Sequence, residues 1–457
     1  MYLNKMAAIE KRAVISISSM MGLRMIGLFM VLPIFALYAR ELDGATPTLI
    51  GLAMGIYGLS QALLQIPFGI LSDHLGRKPL IIIGLLFFIS GSLIAGLTHS
   101  IHFLIIGRAL QGAGAIGGTL LALLADLTRE EQRTKSMAIA GITIGFSFSI
   151  SLVIGPLLTT YLSVNCIFFL AALFGIVAIF ILYFAVPTPH ILRSQRDTEP
   201  ELHSLLTLFK SSELVKLNIG IFILHALFTA SFIIIPIQLA QQYHLSMHQQ
   251  WLVYLPALLI GFVISFTGMG IAERQQKIKT FFLLSILLLF ISLLFLWNSP
   301  THFFGLILDL SLFFTGFTLL EAFLPSLISR AAPIGRKGSV LGIYSCAQFF
   351  GIFIGGILGG YLYGSFGFSG VYLCCLIFSL LWFIIALFMP QPKYTITQVW
   401  RVKNQQDDLQ EIAAKLRMIP GILEVTLIAE EGIVYLKMER TTFRNPDLIR
   451  LKTQITG

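Results

Sequence analysis

The sequence predicts an all-α polytopic membrane protein with 12 transmembrane helices in two six-helix pseudo-symmetric bundles, followed by a small α+β domain. Of its 457 residues, 56% are hydrophobic and only 12% are charged, about half the roughly 25% typical of soluble domains. Apolar stretches of about 20 residues, long enough to cross a bilayer core, recur along the chain. The composition turns charged after Pro390. These observations exclude a soluble multidomain protein and require a separate polar tail.

The apolar stretches divide six and six around the longest internal polar segment, ILRSQRDTEPELHSLLTLFKSS. The predicted spans lie near 14–39, 47–71, 79–98, 101–125, 135–161, 164–186, 215–241, 247–271, 280–297, 302–329, 338–363 and 369–389. Such an order is typical of transporters built from two repeats with the binding site between them. The predicted domains are an N-terminal bundle, a linker, a C-terminal bundle and a tail, over 1–190, 191–212, 213–392 and 393–457.

The excess positive charge predicts orientation in the membrane. The net charge is +9, and 28 of the 31 Lys and Arg residues fall on one side of the predicted spans. Arg40 falls in a loop on the other side, while Arg24 and Arg108 lie inside spans. Basic loops mark the cytoplasmic side. We therefore expect both termini to be cytoplasmic and the partner to be the lipid bilayer, with no nucleic acid.

The sequence predicts that the tail is a separate cytoplasmic α+β domain. It carries ten Lys and Arg and eight Asp and Glu residues. Strands are predicted at 395–402, 422–429 and 432–439, and helices at 407–419 and from Pro446. The order β-α-β-β-α is ferredoxin-like without its final strand. Since the tail has neither Cys nor His, we expect no soft-metal site; an interaction role, self-association and passive stabilisation stay open.

Two motifs identify a family. The stretch GILSDHLGRKP runs from Gly69 to Pro79 after the second span, and GRALQGAGA runs from Gly107 to Ala115 in the fourth. They resemble the first and second signatures of the major facilitator superfamily. The tail further resembles a group of bacterial inner-membrane transporters in this family that carry a C-terminal ferredoxin-like domain. The resemblance covers the whole chain and implies a multi-pass protein of the bacterial inner membrane.

The first motif predicts a gating cluster. Gly69 is expected where two helices approach closely, and Gly76 supplies a glycine turn. Asp73 lies near the start of the third span, where a helix dipole favours a carboxylate. Arg77 is four residues further on, within reach of Asp126 at the inner end of the fourth span. We expect these three side chains to clamp the two halves while the cytoplasmic side is closed; the alternative is that the basic residues only set topology.

Isolated ionisable groups inside the spans are the proton-coupling and cavity candidates, because each costs roughly 2.5–3.5 kcal/mol on insertion scales. Arg24 and His225 lie at similar depths in the first and seventh spans and are expected to face each other across a central cavity. A structural, hydrogen-bonded role for His225 is the alternative. For Arg108, the family resemblance implies an influence on proton coupling.

Two carboxylates in the tenth span complete these candidates. Asp309 and Glu321 are separated by twelve residues, which is about 18 Å and about 120° around a helix, so they cannot form one site. The alternatives are that Glu321 only pairs with Arg330 or another basic group near the cytoplasmic end, and that Asp309 lies in a wet outer vestibule.

The resulting function is secondary active transport by alternating access, with proton-driven efflux of a small amphipathic solute or drug as the first interpretation. The partners are then a small-molecule substrate and protons. Gly155-Pro156 matches the third, antiporter motif, but the following glycine pair is missing, which weakens antiport. Import of a small metabolite and a membrane sensor with a regulatory tail are the alternatives. We see no nucleotide-binding loop, metal cluster or nucleophile–base pair, so no cofactor, metal or enzyme activity is expected.

Overall fold

The computed structural model describes residues 6–187, 211–298, 302–333, 336–391, 395–401, 414–428, 433–439 and 448. Eleven of its helices are long and apolar enough to cross a membrane. The last of them spans 51 residues and is broken at Gly367, where φ is +64°, so it supplies two crossings. The prediction of a twelve-span helical protein is confirmed.

The N-terminal half contains eight helices in the described residues, because two of its six spans are interrupted. They are α1 (Ala8–Phe29), α2 (Leu32–Ala39), α3 (Pro47–Leu75), α4 (Arg77–Leu97), α5 (Ile101–Ala113), α6 (Gly117–Asp126), α7 (Glu130–Leu158) and α8 (Val164–Phe184). The first span consists of α1 and α2, and the fourth consists of α5 and α6. The second interruption lies in the glycine-rich stretch GAGAIGG, which lets the chain leave the helix and begin a new one in mid-span.

The C-terminal half begins where Ser211 caps the first helix by accepting a hydrogen bond from the backbone N–H of Leu214. Its helices are α9 (Ser212–Gln242), α10 (Trp251–Arg274), α11 (Ile278–Trp297), α12 (Phe303–Ala331) and α13 (Lys337–Leu387). Most of the predicted linker lies outside the described residues, and the domain boundaries stay predictions.

Basic side chains cap the C-terminal end of the last helix in the N-terminal half. Arg12 Nε, from the start of α1, donates to the carbonyl of Ala185 at 2.9 Å. Lys78 Nζ, from the start of α4, donates to the carbonyl of Val186 at 2.8 Å. The final carbonyls of a helix lack intrahelical donors and carry partial negative charge. We call the membrane face that holds these side chains the basic face.

In the C-terminal half, basic side chains from the equivalent helices also cap the end of the last helix. Lys216 Nζ, from the start of α9, donates to the carbonyl of Phe388 at 3.1 Å. Lys279 Nζ, from the start of α11, donates to the carbonyl of Leu387 at 3.0 Å. The first and third spans of each half therefore cap its sixth. The shared caps support the pseudo-symmetry expected from the six-plus-six order.

The two halves meet closely toward the face opposite the basic face. On α3, a Cβ at Gly51 would meet the backbone carbonyl of Gly356 on α13, and one at Gly58 would meet that of Phe349. Only residues without a Cβ allow this backbone contact. We call this α3–α13 contact the outer seam.

The same two helices part toward the basic face. Cys346 Sγ lies 3.4 Å from the carbonyl oxygen of Ala62. Beyond that contact, a Cβ added at Gly69, Gly338 or Gly342 would meet nothing within 4 Å. The structure is therefore closed at the outer seam and open at the basic face.

The tail contains a three-stranded antiparallel sheet in the order β1-β3-β2, formed by β1 (Thr395–Arg401), β2 (Ile422–Ile428) and β3 (Ile433–Glu439). The three predicted strands are confirmed. One face of the sheet packs Trp400 and Leu436 into a small core. On β3, Lys437 Nζ donates to the carbonyl of Ala332 at 2.9 Å, so the sheet contacts the end of α12. The helices predicted in the tail fall mainly outside the described residues, so the ferredoxin-like architecture stays a prediction.

Candidate transport site

A cluster of polar side chains lies in the membrane-spanning part of the C-terminal half. Glu321 of α12, His225 of α9 and Gln348 of α13 come together there. Glu321 Oε2 lies 3.7 Å from His225 Nε2. Gln348 Nε2 lies 2.8 Å from His225 Nε2 and 3.4 Å from Glu321 Oε1. The cluster therefore ties three helices of one half to a single carboxylate.

The hydrogen-bond geometry assigns the tautomer of His225. Its Nδ1 lies 3.3 Å from the carbonyl oxygen of Ile221, an acceptor only, so Nδ1 carries the proton. The other nitrogen, Nε2, then accepts from the amide of Gln348. A proton arriving at Nε2 would have Glu321 as its nearest carboxylate. A proton that enters this cluster can therefore bind either to His225 Nε2 or to the Glu321 carboxylate.

Access to this cluster is uneven. The Glu321 side chain is 40% exposed, whereas the His225 side chain is 9% exposed. Glu321 is ten residues from the basic-face end of α12, which places it about 15 Å deep. A proton entering from the basic face would therefore meet Glu321 first. The buried hydroxyl of Tyr344, one turn before Gln348, makes no hydrogen bond among the described residues.

Aromatic rings form the wall beyond the cluster. The His225 ring lies 5.9 Å from the Phe317 ring. Phe148 of the N-terminal half reaches across to Phe228 at 5.6 Å and to Phe317 at 5.9 Å. These rings join the halves between the cluster and the opposite face. They separate the carboxylate from the far side of the membrane.

Asp309 lies apart from this cluster. It is 5% exposed, and it interacts electrostatically with the hydroxyls of Tyr243 and Tyr372. Arg330 lies 3.8 Å from Glu273, at the basic-face ends of α12 and α10. The alternative that Glu321 pairs with Arg330 is therefore wrong. The alternative that Asp309 lies in a wet outer vestibule does not agree with its burial.

Arg24, which is expected to face His225 across a central cavity, makes its hydrogen bonds within its own half. Arg24 is 2% exposed and belongs to the interior of the N-terminal half. Its Nη2 donates to the carbonyl of Gly114 at 2.6 Å and to Gln61 Oε1 at 3.1 Å. The Gly114 carbonyl, at the break between α5 and α6, also accepts from the backbone N–H of Ile116 at 2.8 Å. Its contact with the guanidinium holds Arg24 within its own half.

Arg108 is likewise held inside the N-terminal half. Its Nη1 donates to Gln111 Oε1 at 2.7 Å, and its guanidinium lies 5.2 Å from the Tyr57 ring and 5.5 Å from the Phe35 ring. Aromatic faces attract a cation, so they offset part of the cost of burial. Within the described part of the chain, no carboxylate pairs with Arg108 or Arg24.

The gating cluster forms, but not as a clamp between halves. Arg77 is ion-paired with Asp73, and its Nε donates to Asp126 Oδ2 at 3.2 Å. Gly76 has φ +91°, which confirms the glycine turn. All these residues belong to the N-terminal half, so their contacts tie α3, α4 and α6 together. They form while the basic face is open, which contradicts the expected clamp of the closed state.

Gly69 also departs from expectation. A Cβ there would meet nothing within 4 Å, so the predicted close approach is wrong in this conformation. The reason is that α3 and α13 have already diverged at this level. Its carbonyl instead accepts a hydrogen bond from Ser72 Oγ at 2.7 Å, and Ser72 in turn accepts from Arg77.

Sequence reasoning missed the amide side chains of the site. Gln348 in this cluster, and Gln61 and Gln65 beside Arg24, are uncharged, so the cost of burying an ionisable group does not single them out. An uncharged amide inside an apolar span was the available signal, since a buried amide also needs a partner. Gln65 extends the chain of Arg24 contacts, because Gln61 Nε2 donates to Gln65 Oε1 at 3.1 Å.

Comparison with known proteins agrees with this architecture. The family model described as Major Facilitator Superfamily matches residues 17–355 and 217–419. The chain is 40% identical over 439 residues to the inner membrane transport protein YajR of Escherichia coli K12, covering 95% of this chain and 96% of that protein. It is 27% identical over 196 residues to the class B tetracycline resistance protein of Escherichia coli, 40% of this chain and 48% of that protein.

Solved structures agree at the level of the fold. The structure of the nucleoside transporter NupG superimposes with a TM-score of 0.68 at 13% identity, covering 82% of this chain and 99% of that one. Relatives and fold are those of membrane transporters and not of enzymes. The likeness to YajR and the many apolar helices support a multi-pass inner membrane protein. The chain therefore belongs to the Major Facilitator Superfamily.

Proposed function

We propose that the protein is a proton-coupled secondary transporter that works by alternating access and moves a small amphipathic solute out of the cell. The observation that carries the proposal is the contact of Glu321 with His225 and Gln348. It places a partly exposed carboxylate against a histidine at the point where three helices of one half meet. Ionisable groups inside a membrane are expensive and mark ion and proton pathways.

The orientation follows from charge. Basic loops lie on the cytoplasmic side, so the basic face, both termini and the tail domain are cytoplasmic. With the outer seam closed and the basic face open, the structure is then an inward-facing state. Glu321 would exchange protons with the cytoplasm in this state.

Protonation offers a physical link to the conformational cycle. A charged Glu321 attracts the amide of Gln348 and any proton on His225, which draws α12, α13 and α9 together. A neutral Glu321 loses most of that attraction, because hydrogen bonds to charged groups are about twice as strong as neutral ones. Proton binding would therefore change the packing of these helices, one of which forms the outer seam.

Outward movement of the solute is the preferred direction. One relative of part of the chain is named for resistance to tetracycline, which supports removal of a drug-like solute. Import of a small metabolite would use the same cluster with proton and solute moving together. The sign of solute flux under an imposed pH gradient separates the two. A sensor would bind solute and show no flux in either direction.

The test is transport by protein reconstituted in proteoliposomes. Substituting Glu321→Gln removes the titrating group and retains the side-chain shape, so pH-driven flux should fall at least 100-fold while solute exchange without a gradient persists. The matched control is Asp309→Asn on the same helix, which should retain pH-driven flux. Flux that survives Glu321→Gln, or disappears only in Asp309→Asn, would contradict the assignment.

A further inference from the structure

The fourth span is interrupted in mid-membrane, and the interruption exposes a helix N-terminus. Helix α5 ends at Ala113 and the ten-residue helix α6 begins at Gly117. The residue before it, Ile116, provides no side-chain cap. The first backbone N–H groups of a helix have no intrahelical acceptor and carry the positive end of its dipole. Gly117 and Gly118 at this start are half-buried.

A buried guanidinium lies beside this helix start. Arg24 Nη1 is 3.9 Å from the position that a Cβ on Gly117 would occupy. Its Nη2 is used by Gly114 and Gln61, but its Nε has no partner among the described residues. An arginine that is 2% exposed without a paired carboxylate is a costly arrangement.

Further donors converge on the same point. Gln61 donates to Gln65 Oε1, so the amide nitrogen of Gln65 is the last group in the series of hydrogen bonds that begins at Arg24. That nitrogen lies 3.0 Å from the position of a Cβ on Gly118. In the first turn of α6, Thr119 is 1% exposed, and its buried hydroxyl makes no hydrogen bond among the described residues.

The groups around Gly117 share one property, which is that they donate or carry positive charge. Half-helix N-termini at the midplane of transporters bind anionic substrate groups. We propose that the start of α6, with Arg24 and Gln65, binds the carboxylate of an organic anion, and that the anion is the transported solute. The second part rests on the proposed transport function. Gly117 leaves room for the carboxylate, because Arg24 Nη1 is the nearest atom that a Cβ there would meet, at 3.9 Å. The buried Phe88 ring lies behind the guanidinium, 6.0 Å from Arg24 Cζ.

The first test is binding to purified full-length protein in detergent, measured by calorimetry. Benzoate, benzamide and benzylamine have one shape and differ in charge. Benzoate should bind at least 10-fold more tightly than the neutral amide or the cation. Equal binding of benzoate and benzamide would overturn the proposal.

A glycine substitution tests the location. In Gly117→Ala the new methyl has no protein atom nearer than 3.9 Å, so the fold should tolerate it, but it fills the space assigned to the carboxylate. Benzoate should bind at least 10-fold more weakly. The matched control is Gly270→Ala, at a helical glycine of the other half whose Cβ would meet nothing within 4 Å. This variant should bind benzoate as the unmodified protein does. Unchanged benzoate binding in Gly117→Ala overturns the site.

Substitution of the arginine gives an independent measurement. Arg24→Lys keeps the charge and loses the forked donor set, so benzoate affinity should fall while its preference over benzamide remains. Transport distinguishes this inference from the function it rests on. Benzoate binding that depends on Gly117, without flux under a pH gradient, refutes the transport step alone. Proton-driven flux of another solute, with no benzoate binding, refutes the anion site alone.

Discussion

The two halves of the molecule have the same helix capping but different charged residues inside the membrane. In each half, basic side chains from the first and third spans cap the end of the sixth. Inside the membrane, however, the N-terminal half buries Arg24 and Arg108. The C-terminal half holds Asp309 and His225, which are buried, and Glu321, which is partly exposed. Capping serves stability and recurs in both halves. Charge in the interior has diverged, with two arginines in one half and carboxylates and a histidine in the other.

The largest expected effect comes from breaking the contact between the halves. In Gly356→Val, the new side chain would meet the backbone carbonyl of Gly51 in the outer seam. Overpacking of this kind costs about 1–3 kcal/mol, so the outward-open population should rise about fivefold or more. Spin labels at Thr48, at the outer end of α3, and at Tyr361, near the Gly367 break of α13, should move apart.

The control for the seam lies on the same helix. At Gly342 of α13 a Cβ would meet nothing within 4 Å, so Gly342→Val should leave the distance between the labels unchanged. If both substitutions move the labels equally, the closed outer seam is not what holds the halves together.

The second effect follows from giving the N-terminal half a carboxylate of its own. Gln61 Oε1 accepts from Arg24 at 3.1 Å, so Gln61→Glu would pair the guanidinium internally, with Gln65 rotating its amide to donate. Charged hydrogen bonds exceed neutral ones by about 1 kcal/mol, so thermal stability should rise while benzoate binding falls at least 10-fold. Gln111→Glu, which pairs Arg108 instead, is the control and should retain benzoate binding. A more stable protein with unchanged benzoate binding would show that Arg24 needs no external anion.

The third prediction compares the two basic-face clusters. Arg77 contacts Asp73, Ser72 and Asp126, and is 19% exposed, whereas Arg330 lies 3.8 Å from Glu273, whose side chain is 60% exposed. Networks outweigh exposed pairs, which contribute about 0.2–1 kcal/mol. Arg77→Ala should therefore lower the melting temperature more than Arg330→Ala does. Equal losses would mean that the family motif adds no stability beyond an ordinary ion pair.

Much of the fold could be predicted because hydropathy acts locally. A span needs about 20 apolar residues whatever its neighbours are, so the spans and the composition change after Pro390 were readable from the chain. The interruption at 114–116 was not predicted, because its glycines also match a motif of the family. Glycine alone does not say whether a helix packs closely or breaks.

The candidate site was predictable in its residue types and not in its contacts. Glu321 and His225 stood out as isolated polar groups, and the structure brings them together. Arg24 stood out equally, yet it contacts its own half, because the direction of a side chain depends on helix rotation that one sequence does not give. Predicting that Gln348 contacts both His225 and Glu321 also requires the rotation of the helices.

The smallest effect concerns the shared caps. Lys78→Met and Lys279→Met each remove an ammonium from helix-terminal carbonyls, at Val186 in one half and at Leu387 in the other. Such contacts contribute about 0.3–1 kcal/mol each, so each variant should melt slightly earlier and by a similar amount. Arginine at either position should restore stability, since it also donates to carbonyls. If the Lys78 variant loses far more stability than the Lys279 variant, the caps are not equivalent and the pseudo-symmetry does not extend to the helix ends.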